Sequence, residues 1–498
     1  MMGDMKAGGG RRAGDAAVAV ALAIIVTALA AAALLGGPTL DDHWTIYLSD
    51  STRGLAKLVE ERWILDIRPP VFDAWATLLH MVGIDSIPLA RLISSLPAVV
   101  LLVLAVRAFS RRLPDEAPFF AIFLLLVLST PAAVRAFGVY RGDFWQLAAF
   151  AIQILLVRHV LFVQKDYRRK TDAVLALFAL PATFAAITID YGGALFGGIV
   201  AMATILAAIA RGLRRWARSL LITVALAVAT VIAMISWQAG AWAANFDLYQ
   251  NWIEMSYGSA GAILAALLFG TILHNPIALA GGYLGREQWS RGDTGFAIII
   301  GAALVAALVA IMQIDAQRRL ITFSNSSDVA VLVTALMATA GAKIADRRMW
   351  MNALAGVAIL SVTVSATVNG SGSGWQSGAK RISRIVAACP QTQVFAVSGW
   401  RLDDGSASRA ARREEPVFTL GYKRLARSYG FTAIVIPRDR PATAAPGRCP
   451  VLLWIERVPS KKRVKPAQVL KAAGLGGLEK ARLSLIRGEN GLIVRAGR

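Results

Sequence analysis

The chain has 498 residues, of which 56% are hydrophobic and only 17% charged, too apolar for a water-soluble protein of this length and typical of one that lives in a bilayer. Lys and Arg outnumber Asp and Glu by 53 to 31, a net charge of +22, yet the basic residues sit in short clusters between apolar runs, which is how cytoplasmic anchors look and not how a nucleic-acid surface looks. Two Cys and four His exclude a cysteine-based cluster and leave no His pair at zinc-ligand spacing, so any metal would have to be held by carboxylates.

Residues 1–15 carry Arg11 and Arg12 and read as a cytoplasmic tail. The apolar run Ala16–Leu35 that follows is long enough, at 1.5 Å per residue, to cross a hydrocarbon core of roughly 30 Å. A cleaved signal peptide is the rival reading, but the run exceeds the usual apolar core of such a signal. The outer segment 37–86 then mixes charges with Trp44, Trp63 and Trp75, a pattern that predicts juxtamembrane helices lying along the interface. It opens on the acids Asp41 and Asp42, followed by His43. Arg68-Pro69-Pro70 breaks the backbone before a short apolar helix, Val71–Val82.

Further spans are expected at Ile87–Phe109, Pro118–Val134, Phe144–Val163, Ala173–Ile189, Gly192–Ala210 and Leu220–Trp237. Basic clusters recur at every second connection, as a consistent topology requires. The stretch Gln238–Tyr257 has no Lys or Arg and reads as an outer connection. Four more runs, from Ala260 toward Tyr283, Gly295–Ile314, Val329–Ile344 and Asn352–Val368, bring the count to about eleven. An odd count from an inside N-terminus puts the C-terminal region outside. Arg318 and Arg319 then lie in an outer loop and offend the positive-inside rule, an exception that asks for a reason.

The organisation expected is therefore a polytopic α-helical membrane region over 16–368, a linker over 369–376, and a small α/β domain over 377–498. Within that domain a helix Ser377–Ala388, a helix Val417–Tyr429 and strands at Val394–Val397, Phe431–Ile436 and Val451–Ile455 are predicted. Cys389 and Cys449 both fall there, and an oxidising compartment would let them pair. The domain shows no nucleophile elbow, phosphate-binding glycine fingerprint or metal motif.

The topology gathers acids and arginines on one face: Asp41, Asp42 and His43, Arg68, Arg141 and Asp143, Asp190, Asp247 and Glu254, Arg318 and Arg319. A carboxylate there can deprotonate a hydroxyl, and arginine offers paired donors to phosphate oxygens. Asp190, Asp247 and Glu254 read individually as ordinary solvated loop acids.

The order of these features resembles the lipid-linked-sugar glycosyltransferases of the GT-C superfold, the class of protein O-mannosyltransferases, aminoarabinose transferases and lipopolysaccharide core galacturonosyltransferases. The resemblance rests on the acid pair Asp41-Asp42 after the first span, Arg68-Pro69-Pro70-Val71-Phe72 opening a short helix, and Ala90-Arg91-Leu92-Ile93-Ser94-Ser95-Leu96-Pro97 leading into the second span. Tyr140-Arg141-Gly142-Asp143 after the third span and Arg319-Leu320 late in the membrane region complete it. The chain departs from the family at Arg68, where His is usual, and at Leu320, where Tyr is usual. No motif of the C-terminal domain takes part.

The resemblance implies a GT-C-like fold in a bacterial-type inner membrane with its C-terminal domain in the periplasm. It implies transfer, with inversion, of one sugar from a polyprenyl-phosphate donor to a lipid, glycan or protein acceptor. Asp41 would be the general base with Asp42 orienting it. Arg319, with Arg318 and Arg141, would bind the donor phosphate, and Arg68, His43 and Asp143 would contact substrate. A divalent cation is left open, without a metal ligand set assigned. Two other classes compete: a polytopic transporter or lipid flippase, and a noncatalytic envelope assembly protein. Transporters tend to carry ionisable residues near the midplane and repeated halves, whereas here the charges sit at span ends and no internal repeat is seen.

Overall fold

The computed structural model describes residues 4–66, 68–163, 172–257, 259–278, 280, 288–317, 322, 326–344, 347–370, 374–399, 408–437, 442–444, 447–456, 464–478, 481–487 and 491–497. In a bilayer an apolar segment must satisfy its own amides, so each apolar run closes its hydrogen bonds as a helix. The first helix, α1 (Asp4–Leu35), leads into a cap of short helices, α2 (Leu40–Ser49), α3 (Leu55–Glu61) and α4 (Val71–Met81). The bundle continues with α5 (Ile87–Arg112), α6 (Ala117–Ser129), α7 (Pro131–Phe137), α8 (Asp143–Phe162), α9 (Asp172–Thr188) and α10 (Tyr191–Ala210). It is completed by α11 (Arg214–Tyr257), α12 (Ala260–His274), α13 (Arg291–Gln317), α14 (Asp328–Gly341) and α15 (Arg347–Gly370).

Seven helices among the described residues are long and apolar enough to cross a membrane: α1, α5, α8, α10, α11, α13 and α15. The expected count of about eleven is reached only if a bent pair and three shorter apolar helices are counted with them. The expected span Pro118–Val134 is two helices, α6 and α7, bent by 61°. Pro131 cannot donate to the preceding turn, and Thr130 leaves helical geometry with ψ 148° to cap α7 through Ala133 N–H. Three other expected spans coincide with α9, α12 and α14, each 17 residues or fewer. The last of these, at 14 residues, reaches only about 21 Å and is shorter than a hydrocarbon core. A correction concerns the connection expected at Gln238–Tyr257, which is a helical continuation of α11. The linker expected over 369–376 falls partly outside the described residues, and its flanks are helical.

Burial separates the centre of the bundle from its rim. The window of α8 is 89% buried, that of α11 only 17%, so α8 is the axis around which the others pack and α11 faces outward along most of its length.

The C-terminal region opens with α16 (Gly374–Ala388) and alternates into β1 (Gln393–Ser398), α17 (Ser408–Ser428), β2 (Ile434–Val435), β3 (Val451–Glu456), α18 (Pro466–Ala472), β4 (Leu483–Arg487) and β5 (Gly491–Ala496). These strands form one sheet in the order β2-β1-β3-β5-β4. β1 runs parallel to β2 and β3, and the β4–β5 pair joins antiparallel. β3 is buried throughout, as a central strand covered on both faces must be. Cys389 and Cys449 are disulfide-bonded, with Cα atoms 5.7 Å apart, which ties the end of α16 to the lead-in of β3.

This region docks on the cap. Trp375 of α16 lies 5.2 Å from the His43 ring of α2 and 5.0 Å from Tyr422 of α17. A methyl group on Gly421 would come within 2.7 Å of Trp375 and 2.9 Å of His43, so glycine is what lets α17 press against α2. The cap is seated on the bundle by Phe72, whose ring meets Tyr140 and Trp145 edge-on at 5.6 and 5.7 Å. Trp75 and Trp145 both donate to Ser94, at its hydroxyl and its carbonyl.

Candidate active site

α2 begins where it does because Thr39 caps it. The Thr39 hydroxyl accepts from Asp42 N–H at 3.3 Å while the Asp42 carboxylate accepts from Thr39 N–H at 2.5 Å, a reciprocal capping box worth on the order of 1 kcal/mol. The same carboxylate accepts from Arg91 Nε at 3.0 Å and Nη2 at 2.6 Å, from Tyr140 N–H at 2.7 Å and from the Thr39 hydroxyl at 2.6 Å. Arg91 in turn donates to the carbonyls of Ala33, Gly36 and Gly37. Both side chains are fully buried. Burial opposes ionisation of Asp42, but Arg91 and Thr39 outweigh it and hold the carboxyl below its ordinary range.

Asp42 therefore clamps the ends of α1, α2, α5 and α8 together. This corrects its grouping with Asp41 as a catalytic acid: five donors occupy it and no surface is left for a substrate. Asp41, one residue earlier, emerges on another side of the helix. Its side chain is 47% exposed, and its Oδ1 accepts from Arg141 Nη1 at 2.7 Å.

Behind Asp41 lies a network of alternating sign. Arg141 reaches Asp66 at 4.0 Å as well as Asp41. Arg68 is ion-paired to Asp143 and lies 3.3 Å from Asp190. Burial works against the charge on both arginines, but for Arg68 the carboxylates of Asp143 and Asp190 raise its pKa above the ordinary value. For Arg141, burial and Arg68 are outweighed by Asp41, Asp66 and Asp143. Asp73 of α4 is buried, and its Oδ2 has no hydrogen-bond partner. Burial and the neighbouring Asp66 push its pKa well above the ordinary carboxylate range.

Backbone geometry fixes these positions. A methyl on Gly142 would meet Ile189 and Phe72 at 3.2 Å, so this glycine lets the Arg141–Asp143 turn sit tightly under α4. Asp190 caps α10 through Gly192 N–H at 2.7 Å. Gln238 bridges Tyr191 to the carbonyls of Trp63 and Arg68.

Of the residues expected at the site, Asp41, Arg68, Arg141 and Asp143 are brought together. His43 is not, and this is a second correction. Both its ring nitrogens are buried without partners, it packs under Trp375, and burial pulls its pKa down to about 4, so it is a neutral ring in the docking interface. Arg318, Arg319 and Leu320 lie outside the described residues, as do the side chains of Asp247 and Glu254. Asp190 is buried and paired, not the solvated loop acid expected. Asp66 and Asp73 were not singled out from sequence, and Arg91 was read only as part of the Ala90–Pro97 motif, with no role assigned. An Arg inside an apolar run was the available signal for Arg91, and the Thr39-x-x-Asp42 spacing was the signal for the cap.

Asp143 also lines a cavity of about 220 Å³ between α7 and α12. Its walls are largely apolar, from Pro131, Ala132, Ala136, Ala266 and Leu267, with Arg135, Thr271 and Ser327 as polar points. Among the described residues no three His, Cys, Asp or Glu side chains converge as a metal ion requires. The acids near Asp41 are engaged by Arg68 and Arg141 instead.

No protein-family model and no curated protein matches the sequence. Two crystal structures share its architecture. ArnT from Cupriavidus metallidurans bound to undecaprenyl phosphate superposes with a TM-score of 0.51 at 13% identity, over 96% of this chain and 97% of that one. The apo form of the same protein gives 0.52 at 14% identity, again over 96% and 97%. The chain shares the fold of these structures along nearly its whole length.

Proposed function

We propose that this GT-C-fold chain is a membrane glycosyltransferase. It moves a single sugar from a polyprenyl-phosphate donor to an acceptor hydroxyl on a lipid, glycan or protein, at the periplasmic face of a bacterial-type inner membrane. The observation that carries the reading is the half-exposed Asp41 carboxylate, held through one oxygen by Arg141 at the edge of an otherwise buried acid–arginine network. A solved structure of the same fold holds undecaprenyl phosphate, which supports a lipid-phosphate donor.

In this mechanism Arg141 orients Asp41 through Oδ1, and Oδ2 accepts the proton of the acceptor hydroxyl. The acceptor oxygen then bonds to the anomeric carbon while the bond from that carbon to the phosphate oxygen breaks. The electron pair leaves with the phosphate, so polyprenyl phosphate is the leaving group and the anomeric centre inverts. No acid is needed to protonate so stable an anion. The apolar walls between α7 and α12 suit isoprene units, and Arg135 on that cavity is the described arginine we assign to the phosphate. Arg319 and Arg318 are assigned with it on their sequence pattern alone. Arg141, expected among the phosphate ligands, is given the task of holding Asp41.

Purified protein in nanodiscs, given a polyprenyl-phosphate donor with a labelled sugar and an extract of membrane acceptors, should release one polyprenyl phosphate for each label transferred. Movement of intact donor between leaflets of sealed vesicles, with no lipid phosphate released, would instead identify a flippase and overturn the reading.

A further inference from the structure

A second and larger cavity, about 950 Å³, lies between α2, the start of α4–α5 connection and α17. Asp41 is not on its wall. The residues of α2 and its C-cap that are, Ile46, Tyr47 and Asp50, stand five, six and nine positions further on, rotated by about 140°, 240° and 180° from Asp41 at roughly 100° per residue. The cavity is thus on the back of the helix whose front carries Asp41.

Its charges are not balanced from within. Asp50 accepts from Thr52 and pairs with the buried Arg62 at 3.3 Å. Asp85 is held by His80 at 2.6 Å, and its backbone carbonyl accepts from Arg424. Two cations remain. Lys423 and Arg427 are exposed to the cavity, one turn apart on α17, and neither has an acidic partner among the described residues. Thr419 lies one turn before Lys423 on the same stripe, while the Ser428 hydroxyl, beside Arg427, donates to the Arg424 carbonyl at 3.0 Å. Glu415, the remaining acid on the wall, is two turns from Lys423, about 12 Å along the helix axis.

We infer that this cavity is a binding site for a phosphate group, held by Lys423 and Arg427 with the Thr419 hydroxyl as a further donor. A phosphate monoester carries a charge near −1.5 to −2 at neutral pH and three acceptor oxygens, which matches two uncommitted cations with a hydroxyl beside them. The same chemistry is offered by a phospholipid headgroup and by free phosphate. The inference does not rest on the transferase reading, because its readout is binding.

The test uses the full chain in detergent micelles, titrated with dihexanoyl phosphatidic acid, with dihexanoylglycerol, which lacks the phosphate, and with inorganic phosphate, binding being followed by native mass spectrometry. Phosphatidic acid should bind and dihexanoylglycerol should not. The double substitution Lys423→Gln with Arg427→Gln should weaken binding by more than about tenfold, as expected for lost charge-assisted hydrogen bonds, at an unchanged thermal midpoint. Arg214→Gln with Arg215→Gln, an exposed basic pair elsewhere, should leave it unaltered. Displacement of the lipid by inorganic phosphate would identify free phosphate as a ligand; binding of the lipid alone would identify a headgroup; either supports the site. Equal binding by the Lys423/Arg427 variant, equal loss in the Arg214/Arg215 pair, equal binding of dihexanoylglycerol, or no binding at all would overturn it.

Discussion

Besides the Asp42–Arg91 pair, two larger networks of buried charge stand out among the described residues, and they are built differently. In the first, Arg158 pairs with Glu116 and with Asp293, each at 2.5 Å, and Lys343 reaches Asp293 at 3.1 Å. The rings of Phe119, Phe162 and Phe296 surround the guanidinium within 5.0 Å. Its acids are engaged, Ser290 caps Asp293 besides, and the atom left without a hydrogen bond is the Arg158 Nη1 donor, not a carboxyl oxygen. In the second network, around Arg68 and Arg141, a carboxylate reaches solvent at Asp41 and a carboxyl oxygen of Asp73 is left without a partner. Buried ion pairs alone therefore do not mark a site. The first cluster fastens helices, whereas the second is left open on one side, as a group that must exchange a proton with a ligand requires.

Removing one member of a sealed pair strands the other, which costs about 3–5 kcal/mol. Arg91→Met is expected to have the largest effect, because it leaves the buried Asp42 without its only cation and also loosens the helix that carries Asp41. Both the thermal midpoint in detergent and turnover should fall. Arg158→Met should lower the midpoint by a comparable amount, and the turnover of the molecules that remain folded should be close to normal. If Arg158→Met selectively abolished turnover at an unchanged midpoint, the contrast between the two networks would be wrong.

A smaller effect sharpens the same contrast at an acid sealed without a cation. Glu456 is buried, accepts from Trp454 Nε1 at 2.6 Å, and is pushed up to about 8 by burial, which that hydrogen bond only partly offsets. A folded pKa above the unfolded one means that its contribution is fully present below about pH 4.5 and is lost as pH rises toward 8, at up to about 1.4 kcal/mol per pH unit. Glu456→Gln should therefore flatten the fall of the thermal midpoint between pH 5 and 8. Melting curves of the wild type and the variant across that range test it, and parallel curves would contradict it. The smallest effect is expected at Arg135. Arg135→Gln should raise the apparent KM for the donor about tenfold, the worth of one hydrogen bond to a charged group, with kcat much less affected. An unchanged KM would remove Arg135 from the donor site.

Much of this arrangement could be read from the chain before its structure. Apolar length marked the seven long helices, and Asp41, Arg68, Arg141 and Asp143 were gathered by topology alone. What stayed hidden was of two kinds. Partnerships across long separations, such as Arg91 with Asp42 or Arg68 with Asp190, leave no local trace, so Asp42 looked like a second catalytic acid and Asp190 like a loop residue. Local signals were also overridden. Pro131 ended an apolar run that composition alone continued to Val134, and β4 and β5 escaped notice because Leu483–Arg487 is only half-buried and mixes polar with apolar residues. His43 was read beside its acidic neighbours, but the docking of Trp375 and Gly421 decides which way it faces.

The account's central claim is that Asp41 is the open carboxylate that takes the acceptor proton. The most direct measurement is donor turnover by Asp41→Asn, at matched thermal midpoint, relative to wild type. General base catalysis is worth about 10² to 10⁴ in rate, and a loss of that order with the fold intact is the result predicted. Turnover within a few-fold of wild type would contradict it.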